Sequence, residues 1–258
     1  MLQGIDHIVI AVPDLAVASR NYEGLGFTVV PGGRHPVGTH NALIAFADGA
    51  YIELIAFYEK NTQHKWWEPL QQGGGLVDFC MQTDDLMADT AAFRKAGVDI
   101  DDPSPLSRVR PDGYQLKWVL SIPRGVYRGV APFLIQDETP REERVPRQTR
   151  HANGVTGIGT VTVAVAVDDV GRVAGWYTKV LGKPGQRIVS EELGGVGQRF
   201  VIGPHTLDFV APDAASSPLE PWLAARGASP YAAALTAPGA GGGLLDEART
   251  LGARLTIS

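Results

Sequence analysis

The sequence predicts an α+β protein built from repeated βαβββ modules, paired into two domains, with the last module truncated. Three observations carry this. A strand, turn and helix pattern recurs at shifts of 71 and 155 residues, and short extended runs follow each helix. The 258-residue chain also has room for about four such units.

The first module opens with IDHIVIAVPDL, Ile5 to Leu15, a β-branched run ended by a Pro-Asp turn. Asp14 is placed to cap the helix LAVASRNYEGLG. Leu15, Ala18, Tyr22 and Leu25 mark its buried stripe, and Gly24 or Gly26 supplies the left-handed exit. FTVVPGG, THNALIAFADG and AYIELIAF are its three strands. The shift of 71 puts Asp85, Phe93 and Gly97 in the places of Asp14, Tyr22 and Gly26, with LVDFCMQTDDL as the strand and YQLKWVLSI and APFLIQD following. The shift of 155 puts Asp169, Tyr177 and Asp208 in the places of Asp14, Tyr22 and Glu53, with QRFVIG and HTLDFVAP as strands. The fourth module has the strand YAAALTA, an expected helix LLDEARTLGARL with Gly252 at its end, and room for one closing strand.

A single unit of this kind leaves one sheet face bare, so units must pair. The predicted domains are residues 1–138, holding a candidate cavity, and a degenerate 154–258. The charged segment TPREERVPRQTRHAN, 139–153, is read as a solvated connection between them.

Composition narrows the function classes. The formal charge of −5 offers no positive field for nucleic acid, so no such partner is expected. One cysteine, Cys80, excludes an internal disulfide and a cysteine-built zinc site and suits a reducing compartment. The first residues lack a basic leader, and their apolar run is too short to span a membrane. A cytoplasmic protein is expected. GGVG and GAGGG, 194–197 and 239–243, have neither a Walker lysine nor a Rossmann acidic partner, so nucleotide binding is not expected.

IDHIVIAVPDL, YEGLGF, GGRHPVGTHNALIAF, YIELIAF, APFLIQDETPR and HANGVTGIGTVTVAV together resemble the vicinal oxygen chelate superfamily, in its glyoxalase-like branch. The resemblance spans nearly the whole chain and implies the paired-module fold. It leaves the reaction open, because the superfamily includes isomerases, lyases, ring-cleaving dioxygenases and metal-free binding proteins.

Strand alternation then places the candidate site. Ile8, Ile10 and Val12 suit the helix side, leaving Ile5, His7, Val9 and Ala11 on the concave face. Ile52, Leu54 and Ala56 do the same in the last strand, leaving Tyr51, Glu53, Ile55 and Phe57 beside His7. The shift of 71 converts His7 into Asp78, so His7, Glu53 and Asp78 form the candidate metal set. An imidazole with two carboxylates suits a divalent ion such as Zn, Ni, Mn, Fe or Mg. The resemblance implies that His7 and Glu53 hold such an ion, with further ligands from the second module, where Gln136 or Asp137 are the other candidates. Glu53 is the candidate general base. The competing reading is a buried His7 with one hydrogen bond, a Glu53 neutralised by an arginine, and no cofactor.

Arg34 and Asn41, in the Gly-rich GGRHPVGTHN, and Trp118 are the candidate substrate contacts, with His35, His40, Trp66 and Trp67 beside them. Cys80 is read as a small buried hydrophobe, and His151 and Asn153 as turn or capping residues. The third module has Thr162 in the His7 place, so the second domain reads as a structural half. Two functions follow. One is a metal-dependent lyase, isomerase or dioxygenase acting on a small oxygenated or aromatic metabolite. The other is a metal-free protein of the same fold that binds and sequesters a small molecule. Open sheet edges near the short fourth module lead us to expect a homodimer.

Overall fold

The protein is described by a computed structural model covering residues 1–239 and 241–258. Ala240, inside the GAGGG stretch, lies outside the described residues.

The first module runs β1 (Leu2–Ala11), α1 (Leu15–Gly24), β2 (Val30–Arg34), β3 (Thr39–Ala45) and β4 (Tyr51–Phe57). A short helix α2 (Trp67–Gln71) leads to the second, β5 (Gly75–Thr83), α3 (Leu86–Ala96), β6 (Ser104–Val109), β7 (Gln115–Ser121) and β8 (Phe133–Asp137). These eight strands close into a barrel in the order β1-β4-β3-β2-β6-β7-β8-β5. β1 and β5 pair antiparallel about the pseudo-twofold between the modules, and at the other seam β2 meets β6 through Arg34 and Val109.

A helix α4 (Arg141–Arg144) joins the barrel to the third module, β9 (Gly157–Ala164), α5 (Val170–Leu181), β10 (Gln186–Ser190), β11 (Gly195–Ile202) and β12 (His205–Pro212). After α6 (Leu219–Arg226), the strands β13 (Ser229–Thr236), β14 (Gly243–Leu244) and β15 (Leu255–Ile257) complete an open sheet, ordered β10-β11-β12-β9-β13-β15-β14.

The predicted caps form where the chain turns into α1 and α3: Asp14 accepts from Val17 N–H and Asp85 from Ala88 N–H. Asp169 instead pairs with Arg172 and makes no side-chain cap. The three residues at the equivalent helix position, Tyr22, Phe93 and Tyr177, are fully buried. They lie in one continuous core shared by barrel and second sheet, because the helices of each half pack against the other. Phe93 meets Tyr177 edge-on at 6.0 Å, and the Tyr22 hydroxyl donates to Thr250 C=O.

Three expectations need correction. Within the expected helix 244–255, residues 247–252 form successive turns, and Leu244 and Leu255 belong to β14 and β15. Asp246 accepts from Ala248 N–H, Leu251 takes a φ of 56°, and the chain then re-enters the sheet at Leu255. Twelve helical residues would carry it about 18 Å along an axis, away from that strand. Ile5 does not face the cavity. A bulge between Ile5 and His7 sends Ile5 into the helix-side core and turns Asp6 inward beside His7. The segment 139–153 is charged but not simply solvated, since Arg144 is 3% exposed and reaches into the barrel.

Candidate functional site

Barrel closure makes a cavity of about 420 Å³ that opens to solvent. Its walls are apolar, from Ile55, Trp66, Leu106, Trp118, Leu120, Phe133 and Ile135. Its polar floor is built on three strands. His7 on β1, Glu53 on β4 and Asn41 on β3 all turn inward, since alternate residues of each strand share a face.

His7 Nε2 lies 3.5 Å from Glu53 Oε2, and Asn41 Nδ2 donates to Glu53 Oε1 at 2.6 Å. Behind the imidazole, His7 Nδ1 donates to Asp6 Oδ1 at 2.7 Å. Asp6 is fully buried and is held by Arg144 at 2.9 and 3.0 Å and by Arg141. Arg144 also donates to the Tyr51 hydroxyl, whose ring stacks on His7 at 4.5 Å. Arg108 on β6 completes the floor. It donates to Asn41 Oδ1 at 3.2 Å and to Arg144 C=O at 2.9 Å. Gly32 is required there, because a Cβ would collide with Asn41 Oδ1 and Arg108 Nη1.

The electrostatics follow from these partners. Burial alone would raise the Glu53 carboxyl, but the His7 ring, and to a lesser extent His35 and Asn41, hold it near 2. Burial would depress His7, yet the Asp6 and Glu53 carboxylates hold it above the ordinary imidazole range. Burial pushes Asp6 upward, and Arg144, then Arg141 and His7, override it and keep the carboxyl well below normal. His35 and His64 are driven down to about 4 by burial and stay neutral near pH 7, and burial pushes the Cys80 thiol well up. Protonated His7 therefore contributes stability that is complete below about pH 6.5 and is lost as pH rises through its raised folded value. Its ring resonances in a ¹H–¹⁵N NMR titration are expected to titrate above 6.5 and to move down in Glu53→Gln; titration at or below 6.5 in the wild-type chain would contradict this arrangement.

The other candidate residues divide. Trp118 and Trp66 line the cavity, whereas Trp67 packs outside on the edge of Phe57. Arg34 is exposed and stacks on Tyr58 at 4.9 Å, because its register opposite His40 turns it to the outer face. Its neighbour His35 points inward and binds Thr39 Oγ1. Asp78 stands apart from His7 and Glu53. A bulge opposite Val9 and Ile10 displaces β5, and Asp78 Oδ2 is taken by Lys65 at 2.8 Å and by the Trp66 indole N–H at 2.9 Å. Gln136 caps α3 through Leu86 N–H, and Asp137 binds Arg144, so neither turns into the cavity. His151 and Asn153 tie the segment after α4 to Ala45 C=O and Leu25 C=O. In the second sheet, Asp208 is neutralised by paired bonds from Arg199 at 2.7 and 2.8 Å.

Sequence reasoning missed Asp6, Lys65, Arg108 and Arg144. Asp6 adjoins His7, but strict alternation places it on the wrong face, and no local pattern marks the three cations as cavity residues.

The barrel thus pairs two modules and sets a polar floor beside apolar walls. The chain belongs to the glyoxalase-like domain family, whose model matches residues 5–181. The fold is also similar to that of a hypothetical protein from Staphylococcus aureus, with TM-score 0.71 and 16% identity over 100% of this chain and 99% of that one. A mutant of 4-hydroxymandelate synthase from Streptomyces coelicolor matches with TM-score 0.61 and 17% identity, over 98% of this chain and 75% of that one. A xylose isomerase-like TIM barrel/4-hydroxyphenylpyruvate dioxygenase fusion protein matches with TM-score 0.55 and 14% identity, over 92% of this chain and 36% of that one. No curated protein matches the sequence. Among the described residues, no helix is long and apolar enough to cross a membrane.

The superfamily often holds a divalent metal, and the donor set here does not fit one built from both modules. Phe133 pairs with Cys80 as Glu53 pairs with Val9, so a phenyl ring takes the place equivalent to Glu53. Asp78, equivalent to His7, is already spent on Lys65 and Trp66. Asp6, His7 and Cys80 do bring ligand-type atoms within 4.8 Å of one another. However, both oxygens of Asp6 are saturated by arginines and His7, and the Cys80 thiol is held protonated. His7 and Glu53 are what remains.

Proposed function

We propose that this chain is a metal-independent small-molecule-binding member of the glyoxalase-like family. Its ligand lies in the barrel, with an apolar body among Trp66, Trp118 and Phe133 and a polar end on His7, Glu53 and Asn41. The observation that carries this reading is the replacement of the second module's donor positions by Phe133 and by an Asp78 tied to Lys65. The low proton affinity of Glu53 supports binding over base catalysis, because an effective general base titrates near the working pH. Glu53 then serves as a fixed acceptor, and His7 as a charged donor oriented from behind by Asp6.

Metal-assisted catalysis is the second reading, favoured by the 3.5 Å separation of His7 Nε2 and Glu53 Oε2 with Asp6 supporting the ring. Elemental analysis of chain purified without chelator, beside His7→Ala, separates the two. Negligible and equal metal in both is expected. In parallel, toluene and ethylbenzene, as neutral probes, should shift tryptophan emission in wild type and much less in Trp118→Ala. One equivalent of metal in wild type, lost in His7→Ala, would overturn the proposal in favour of the metalloenzyme.

A further inference from the structure

Arg108 is 3% exposed, and both groups that accept from its guanidinium are neutral: the Asn41 side-chain carbonyl and the Arg144 main-chain carbonyl. Among the described residues, no carboxylate oxygen lies within salt-bridge distance of it. The neighbouring charges are already matched. Glu53 has His7 and Asn41, and Asp6 and Asp137 have Arg141 and Arg144. A buried cation without a counter-ion is costly, and structures retain few such groups unless a partner completes them.

A second observation points the same way. Among the described residues, two buried side-chain nitrogens have no hydrogen-bond acceptor, Arg108 Nε and Lys65 Nζ. Both residues line the barrel cavity. Asp78 balances the Lys65 charge at 2.8 Å without an aligned hydrogen bond, and the ammonium sits 3.7 Å from the centre of the Phe133 ring. Two cationic side chains, each with an unused buried nitrogen, thus line one cavity whose walls above the His7, Glu53 and Asn41 floor are largely aromatic and aliphatic.

From this juxtaposition we infer that the ligand is an organic carboxylate: its anionic group pairs with Arg108, its aromatic or branched body fills the space between Trp66, Trp118 and Phe133, and a further acceptor atom meets Lys65. This rests on the ligand-binding reading above and adds the charge class. Arginine suits this role because its planar fork matches a carboxylate and its charge does not titrate away.

The test compares matched pairs: phenylacetate, 3-phenylpropionate and 4-methylpentanoate, each against its primary amide, by isothermal titration calorimetry and ligand-observed NMR. At least one carboxylate is expected to bind wild type tenfold or more tighter than its amide. In Arg108→Met that ratio should fall to within about threefold, with the amide's affinity little changed, and Arg108→Lys should restore part of it. Arg108→Gln, which can still donate to Asn41 Oδ1 without the charge, should lose the preference as Arg108→Met does and provides the reading if Arg108→Met does not fold. Equal binding of acid and amide to wild type, or a preference that survives Arg108→Met, would overturn the charge assignment while leaving the binding reading intact. No binding of any acid, amide or neutral hydrocarbon at millimolar concentration would remove both.

Discussion

Replacing Asp6 by Ala is expected to lower the free energy of unfolding by about 3–5 kcal/mol, read as a fall in the urea midpoint, because it strips one of the two carboxylates that balance the buried Arg144 guanidinium and the buried partner of His7 and Arg141. Arg144 is 3% exposed, and Asp6 supplies two of its bonds while also accepting from His7. Asp6→Asn keeps the volume and some of the bonds and should fall short of the full loss. The pH dependence has a definite sign. Asp6 and Glu53 both have depressed folded values, so their contribution is present above the ordinary carboxylate range and is lost as pH falls through those lower values. Acid unfolding should therefore begin earlier in Asp6→Asn than in wild type. A change below 1 kcal/mol in Asp6→Ala would mean that the arginines find other partners.

The second large effect is expected at Tyr177. Its ring touches Phe93, Phe200 and Phe209 at centroid distances of 6.0, 5.4 and 4.7 Å, and its hydroxyl donates to Val130 C=O at 3.0 Å. Tyr177→Ala opens a cavity in the core common to both sheets and should cost about 3–5 kcal/mol. Tyr177→Phe removes only the hydroxyl and should cost about 1 kcal/mol. Equal losses in the two variants would place the stabilisation in the hydrogen bond rather than in the aromatic packing.

The modular architecture was legible because it rests on local rules. Tyr22, Phe93 and Tyr177 recur at fixed shifts and are all buried, and Asp14 and Asp85 cap the helices they precede. Alternation likewise placed His7 and Glu53 on the cavity side, and the Gly-rich GGRHPVGTHN pointed to Asn41. It failed where the pleat slips. One bulge turned Ile5 outward and Asp6 inward, and another separated Asp78 from the floor. The cations were illegible for a different reason. Arg108 and Arg144 reach the site through barrel closure and a connecting helix, contacts that depend on residues 67 and 138 positions away in the chain. Charged residues in a connecting segment ordinarily face water, and nothing adjacent to Arg144 signals otherwise.

The shared core has a thermodynamic consequence. Helix α3 packs against α5 of the second half and the Tyr22 hydroxyl on α1 bonds to Thr250, so the half without the His7–Glu53 floor shields the outer wall of the half that has it. A molecule seated among the cavity residues therefore stabilises more than its immediate surroundings. By mass action it raises the unfolding free energy of the whole cooperative unit, so occupancy of the barrel is felt as far away as the closing strand near the carboxyl end.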